Sequence, residues 1–446
     1  MKVLIENIGL ISKAEIDINN IALIASENDS GKSTVGKALF STIYSVNSNE
    51  EEIINSLVVA INSFKHMLLI THDSNFKKEI SSIQQCFDKI FYEIKEFYSS
   101  KKDIESIFLK IKNIILEIEE IEARLKKHKY RDIEKINTIT HMTELIKQIK
   151  VFENIEKMKS ISFQRNLQNE FETGIKNIFD DKNTFSSISL QDKNIFVDIN
   201  LENDRVVKIE TREDKSNKYN VLYIETPVIL DYMDDICIKE YPLQFMNNSK
   251  ENYKIKFLRK CLNSKKEMNL LEEVLGKKEL LEKVRKNIED AINGKIEYDL
   301  SSEKYVYQKN GKKIEIKNTA NGIKAFGILE MLLKNGYLDK NTILIIDEPE
   351  VHLHPNWQIK YAELLNILSK ELEVKILINS HSPYFIEAMK IYSDEYTNNT
   401  KFYTMEDNPK NKYSKISVDK TEKMEDIYNK LAEAYKILTR VKYKKV

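Results

Sequence analysis

IALIASENDSGKST, residues 21–34, is the stretch from which the fold of this chain can be read. Five apolar residues, 21–25, form a run short enough for a buried strand. A polar loop follows, and then Val35, Leu39, Ile43 and Val46 recur at spacings of three and four, which predicts a helix with one buried face. A strand, a tight loop and a helix N-terminus aim backbone N–H groups and the positive end of a helix dipole at one point, where a nucleotide phosphate would sit. Lys32, Ser33 and Thr34 bring a charge and two hydroxyls to that point.

Composition limits what this loop can belong to. A chain of 446 residues is long enough for a sizeable core and more than one domain. Lys+Arg and Asp+Glu are both 70, so net charge gives no argument for nucleic-acid or membrane binding, and any basic surface must be local. Cys86, Cys237 and Cys261 are scattered, without the spacing of a disulfide framework or a zinc site, which points to a reducing cytoplasm. The N-terminal residues alternate charged with apolar, unlike a signal peptide, and no apolar run approaches the roughly 20 residues that span a bilayer. A cytoplasmic protein with no membrane partner is expected.

Outward from the loop, residues 2–8 and 14–18 alternate apolar with polar and predict two strands before the one at 21–25. Between Lys37 and Thr173 there is neither glycine nor proline, so long helices are expected. Ile107, Ile111, Ile114, Ile118, Ile121 and Leu125 repeat in alternating steps of four and three, a heptad seam about 28 Å long at about 1.5 Å per residue. Such helices form either a coiled-coil arm or hairpin, or a globular lid. The basic cluster RLKKHKYR, residues 124–131, is either a solvated face or a contact for nucleic-acid phosphates.

After Gly174 the pattern changes. Residues 187–213 alternate apolar and polar around Asn-Asp and Asp-Lys turns, so strands return. VLYIETPVILDYMDD, residues 221–235, reads as a strand stopped by Pro227 and followed by a helix. Its YMDD matches the metal-binding tetrad of reverse transcriptases by chance, since no polymerase palm surrounds it. Residues 253–293 read as helical, and 296–316 as a hairpin turning at Asn310-Gly311.

Three further segments carry chemistry. NTANGIKAF, residues 318–326, sets a small polar turn before an amphipathic helix, again presenting backbone N–H groups to an anion. TILIIDEPEVHLHP, residues 342–355, is a buried strand delivering Asp347 and Glu348 to its C-terminal edge, where two adjacent acids are costly unless a cation or substrate uses them. A second buried strand, residues 374–378, ends in Ser380, His381 and Ser382, and is expected beside the Asp347 strand.

Together these segments resemble the ABC-type ATPase heads of the SMC, Rad50 and RecF class, with the closest likeness to the OLD-like and AAA15-type ATPases of prokaryotic anti-phage systems. ASENDSGKST corresponds to Walker A, NTANGIKAF to the signature, IIDEPEVHLHP to Walker B with its D-loop, and NSHSPYF to the switch histidine. The likeness departs from the pattern at Ser26 and Asp29, where the loop usually has glycines, and at Ala320 and Asn321, which replace the Ser-Gly of the transporter signature. It implies an α/β ABC-type P-loop head, a mixed sheet flanked by helices, with an all-helical insertion after the Walker A helix. Residues 1–48 would form the N-terminal part of the head, 49–185 the helical or coiled-coil insertion, and 186–446 the C-terminal part.

The same resemblance implies roles. Backbone amides of Asn28, Asp29, Ser30, Gly31 and Lys32 would cradle ATP phosphates, with Lys32 adding charge. Ser33 would ligate Mg²⁺, Thr34 would lie near the α-phosphate, and Asp347 would hold the metal shell. Glu348 would activate the attacking water, and His381 would contact the γ-phosphate. Asn321, Gly322 and Lys324 would close on ATP held by a second protomer, giving a homodimer with two composite sites. The glutamine of the Q-loop is not placed by the resemblance, and Gln164 is a candidate only.

For the role of the ATPase three readings stay open. One is the sensor of a defence system controlling a separately encoded effector nuclease, since residues 382–446 are too few for the C-terminal Toprim domain of OLD nucleases. Another is a repair or chromosome-maintenance ATPase that binds DNA directly. The third is a nucleotide-gated scaffold with negligible turnover. A transporter ATPase is disfavoured by the long insertion.

Overall fold

Strand β3 (Ile21–Ala25) lies inside an 11-stranded mixed sheet. The computed structural model describes residues 1–70, 77–100, 104–127, 140, 154–172, 174–180, 185–214, 217–232, 253–265, 277–299, 301–302, 304–432 and 440. YMDD beyond Tyr232, the basic cluster beyond residue 127, and Cys237 lie outside them.

The chain divides into two compact units. The first holds Met1–Asn47, Asn166–Pro242 and Asn248–Val446, and the second holds Ser48–Arg165 with Leu243–Asn247. Helix α1 (Lys32–Ile70) leads from the first unit into the second, and α4 (Ile155–Glu170) leads back.

In the first unit the sheet has two halves. Toward one edge, β1 (Lys2–Ile8), β2 (Ile11–Asp17), β4 (Phe185–Gln191), β5 (Ile195–Glu202) and β6 (Arg205–Glu213) pair antiparallel. Along β5 the alternate residues Ile195, Val197, Ile199 and Leu201 are buried, which gives one packed face and one wetter face. Toward the other edge, β3, β7 (Asn220–Ile224), β11 (Thr342–Asp347), β12 (Lys375–Ser380) and β13 (Thr400–Asn408) run parallel. Here β3 and β11 are buried at every position, as strands covered on both faces must be. Strand β14 (Asn411–Asp419) returns antiparallel to β13 and parallel to β2, joining the halves.

The parallel strands are connected by helices on the sheet faces. Helix α7 (Asn321–Lys334) precedes β11, α8 (Pro355–Leu372) connects β11 to β12, and α9 (Pro383–Glu395) connects β12 to β13. A three-stranded sheet of β8 (Lys295–Asp299), β9 (Lys304–Lys309) and β10 (Lys312–Glu315) stands apart, its hairpin turning at Asn310 and Gly311, both at positive φ. Helices α5 (Tyr253–Asn263) and α6 (Lys277–Ile292) place Leu258, Leu262, Val284 and Ile288 in the main core, and α10 (Met424–Leu431) adds Ile427. Each fully buried Ile or Leu there contributes about 1.5–3 kcal/mol by leaving water.

The second unit is helical in its described residues. Helices α2 (Lys77–Ser100) and α3 (Ile104–Lys127) pair antiparallel, with Lys89–Glu117 and Glu93–Lys110 bridges on the outside. The seam between them holds Ile83, Phe87, Ile90 and Ile94 from α2 and Ile111, Ile114, Ile118 and Ile121 from α3. Those four α3 residues belong to the predicted heptad, whereas the side chains of Ile107 and Leu125 lie outside the described set. Among the described residues no helix is long and apolar enough to cross a membrane.

Candidate functional site

The parallel topology brings the C-terminal ends of β3, β11 and β12 together, because β12 pairs with both neighbours: Ser380 sits opposite Ala25, and Asn379 opposite Asp347. Open α/β sheets bind ligands outside these strand ends. A cleft of about 500 Å³ lies there, lined by residues 28–34 with Asp347 and Glu348.

The loop departs from glycine at two positions, and each has a local reason. Ser26 is buried, its N–H donates to Ser380 O at 3.3 Å, and its Oγ accepts the Met405 N–H at 2.6 Å. The hydroxyl thus ties the loop to β13, a bond glycine would not make. Asp29 takes φ +59°, the left-handed conformation that Asp tolerates better than most residues, and Gly31 follows at φ +82°. Among the described residues Ser30 Oγ is buried without a hydrogen-bond partner.

Lys32, on the first turn of α1, is 4% exposed. Its ammonium donates to Ser26 O and Glu27 O, both at 2.6 Å, and stands 3.9 Å from Glu348 Oε1. Burial holds its pKa below the ordinary lysine value, opposed by Glu348, Asp347 and Glu350.

Asp347 ends β11 with both oxygens engaged: Asn379 Nδ2 donates to Oδ1 at 3.0 Å and Tyr223 OH to Oδ2 at 3.1 Å. Burial, reinforced by Asp347, raises the Tyr223 phenol well above its usual range, so it remains a donor. Gly36 in α1 makes room for this ring, since a Cβ there would lie 3.1 Å from Tyr223 Cε2 and from Ile345 Cγ2.

Glu348 follows at φ 48°, ψ 57°, a left-handed backbone with its N–H on Asn379 O at 2.9 Å. Such a conformation in a non-glycine residue costs about 1–2 kcal/mol and turns the chain sharply at the strand end. Its carboxylate is 33% exposed, 3.4 Å from His381 Nδ1 and 3.9 Å from Lys32 Nζ. Two residues on, Glu350 points inward: its Oε1 accepts from Ser380 Oγ at 2.9 Å, His381 N–H at 2.6 Å and Ser382 N–H at 3.1 Å, with His381 Nδ1 at 3.2 Å.

The structure therefore brings Asn28, Asp29, Ser30, Gly31, Lys32, Ser33, Thr34, Asp347 and Glu348 into one cleft, with His381 against Glu348. The three signature residues do not line this cleft, and the first of them borders it through His352, which does. Asn321 Nδ2 lies 3.4 Å from His352 Nδ1, and Gly322 is overlaid by Trp357, whose Cε3 and Cζ3 would be 2.4 Å from a Cβ. Lys324 is buried and donates to Asp231. Gln164 belongs to α4 within the second unit and does not line the cleft.

Sequence reading missed Leu10, Glu225, Val351 and His352 in the lining, and it missed Glu350 and Tyr223 behind it. His352 and Glu350 stood in the quoted DEPEVHLHP, but nothing local says which acid turns inward. Glu225 follows β7, and only the pairing of β7 with β11 sets it beside Asp347.

The donor set fits a nucleotide with a hard cation. Among the described residues no group of three His, Cys, Asp or Glu side chains forms a metal cage. Ser33 and Asp347 nevertheless share the cleft, an arrangement suited to a cation that takes its remaining oxygens from phosphates and water. The orphaned Ser30 hydroxyl and the Lys32 ammonium are donors on the anion side.

A family model described as AAA ATPase domain (AAA_15) matches residues 1–386. Among solved structures the chain is similar to an SMC head bound to the C-winged helix domain of ScpA, at 10% identity and a TM-score of 0.40, covering 95% of this chain and 98% of that one. The SMC head domain from Thermotoga maritima gives 9% identity and a TM-score of 0.39, with 94% and 97% covered. An Smc head domain with a coiled coil and joint from Pyrococcus yayanosii gives 11% and 0.36, with 97% and 99% covered. No curated protein matches the chain.

Proposed function

The chain belongs to the AAA ATPase domain family, and from that premise we propose that it hydrolyses ATP to ADP and phosphate as the sensor subunit of a cytoplasmic anti-phage defence system. In that system a separately encoded effector, a nuclease, does the damage, and ATP turnover here controls it.

The observation that carries the catalytic reading is the position of Glu348, a partly exposed carboxylate at the strand end facing the cleft, with Lys32 on one side and His381 on the other. Backbone N–H groups of residues 28–32 and the α1 dipole bind the phosphates, and Lys32 adds a full charge. Ser33 and Asp347 would hold Mg²⁺, which when bound neutralises phosphate charge. Glu348 orients the attacking water and accepts its proton, while His381 steadies Glu348 and reaches the γ-phosphate. Cation, base and anion donors then lie within one cleft, so little rearrangement is needed at the moment of reaction.

A homodimer completes the site. Asn321 and the backbone of Gly322 at the start of α7 would face ATP bound to the second copy. Lys324 would join them only when its pair with Asp231 opens. The defence role is supported by the likeness of DEPEVHLHP and SHSPYF to OLD-like ATPases.

Purified protein tests the chemistry. Lys32→Ala should abolish binding of a fluorescent ATP analogue, whereas Glu348→Gln should keep binding but lower turnover about 10²–10⁴-fold, the usual value of a general base. Equal turnover in Glu348→Gln and wild type would overturn the assignment. For the role, the neighbouring gene should encode a nuclease, cells carrying the two together should resist phage, and deletion of either should abolish resistance. Protection by this chain alone would remove the two-component reading.

A further inference from the structure

Helix α5 buries a lysine that the chemistry above does not use. The Lys254 side chain is 3% exposed, and burying an ammonium is costly unless it is paired. It lies 2.9 Å from Glu170 Oε2, itself 2% exposed, and 3.5 Å from Glu225 Oε2 at the cleft wall. Its Nζ also stands 4.4 Å from the centroid of the Tyr223 ring, and the hydroxyl of that ring donates to Asp347 at 3.1 Å.

We propose that Lys254 is a positioning residue for the metal held at Asp347, acting through Tyr223, and that Glu170 fixes Lys254 in turn. The proposal rests on the ATP reading. Tyr223 is held from two directions: Phe40 meets it edge-on with centroids 6.0 Å apart and the ammonium covers its face, while a Cβ at Gly36 would crowd the ring at 3.1 Å. A cation over the ring draws electron density from the phenol and strengthens its O–H as a donor. That bond and the one from Asn379 fix both Asp347 oxygens, so the direction in which the carboxylate presents its remaining lone pairs is set from behind. Stability alone gives no reason for the arrangement, because apolar residues commonly replace a buried ion pair without loss.

Glu170 gives the line a second end. It is the last residue of α4, the helix by which the chain returns from the second unit.

The test is a titration of the full chain with a fluorescent ATP analogue, in saturating Mg²⁺ and in EDTA. Lys254→Met and Tyr223→Phe should each reduce the Mg²⁺-dependent gain in affinity by about 10-fold, the usual cost of losing a partner behind a metal ligand, and leave the EDTA affinity unchanged. The double variant should be no worse than the worse single, Lys254→Arg should restore most of the gain, and Glu170→Gln should act in the same direction. If Lys254→Met does not fold, Glu170→Gln and Tyr223→Phe form the same cycle. Variants that keep the wild-type gain, or whose effects multiply independently, overturn the proposal. Wild-type protein that binds no nucleotide would instead sink the ATP reading itself.

Discussion

Replacing Glu350 by alanine would remove the one oxygen on which three donors converge: Ser380 Oγ at 2.9 Å, His381 N–H at 2.6 Å and Ser382 N–H at 3.1 Å. Each buried donor left without an acceptor costs about 1–3 kcal/mol. The Ser382 N–H keeps Ser380 Oγ at 3.2 Å as a second acceptor, and the His381 N–H belongs to a partly exposed residue, so one donor, the hydroxyl of the fully buried Ser380, is left dry. The expected loss is therefore about 1–3 kcal/mol. At about 1.5 °C per kcal/mol for a unit of this size, Tm should fall by roughly 1.5–4.5 °C. Glu350→Gln keeps an acceptor oxygen but not the charge, and neutral bonds are about half as strong, so its loss should be roughly half as large. Urea and thermal melts of the two variants measure both values. Turnover gives a second readout, because Glu350 also stands 3.2 Å from His381 Nδ1: Glu350→Gln should slow hydrolysis while ATP affinity stays near wild type. A loss below about 1 kcal/mol in the alanine variant, or equal losses in both, would falsify the claim that this oxygen organises the end of β12.

Three further outcomes are expected. Ser26→Ala should lower stability by about 1–3 kcal/mol in urea titration, because the Met405 N–H loses its buried acceptor; an unchanged midpoint would show that the contact is dispensable. Asp29→Gly should relieve the left-handed backbone and remove a negative charge from the phosphate cleft, so ATP affinity by calorimetry should rise, and a fall would mean that the carboxylate itself serves the ligand. Glu330 on α7 is buried, and burial raises its pKa above 4.5 against the pull of Lys334 and Arg285. A carboxyl that binds its proton more tightly when folded contributes stability below pH 4.5 and loses it as pH rises through the raised value. Wild type should therefore show a falling contribution across that window that Glu330→Gln lacks, measured as the pH dependence of the difference in Tm between the two. A difference constant with pH would refute the assignment.

The elements most legible in the sequence were those whose signal lies within a few residues. IALIA and the ILII of residues 343–346 are apolar throughout because both faces of those strands are covered, and Asn310-Gly311 announces its turn because both residues adopt positive φ readily. Strand β2 was less so. The alternation predicts 14–18, yet the strand covers Ile11–Asp17, since Ile8 pairs with Ile11 across the hairpin and carries Ser12 and Lys13 into the ladder. The next strand expected at 374–378 runs instead over Lys375–Ser380, because β3 offers partners as far as Ala25. In both cases the boundary is set by a neighbouring strand rather than by the residues themselves.

By itself the sequence determined the local machinery: a strand, a loop and a helix with a lysine and two hydroxyls, an acid pair at the end of an apolar strand, and a histidine at the end of another. These follow from periodicity and turn chemistry, which act over a few residues. Only the tertiary structure decided which groups meet. The strand order sets Ser26 against Met405, 379 residues away, and turns what looked like a missing glycine into a tie between loop and sheet. It directs Glu350 rather than Glu348 to the backbone N–H groups just after β12, leaving Glu348 at the cleft, and it puts Lys324 on Asp231 and Tyr223 on Asp347. Distant polar groups find one another through sheet pairing and burial, where an unpaired partner is costly, and no local pattern records that pairing.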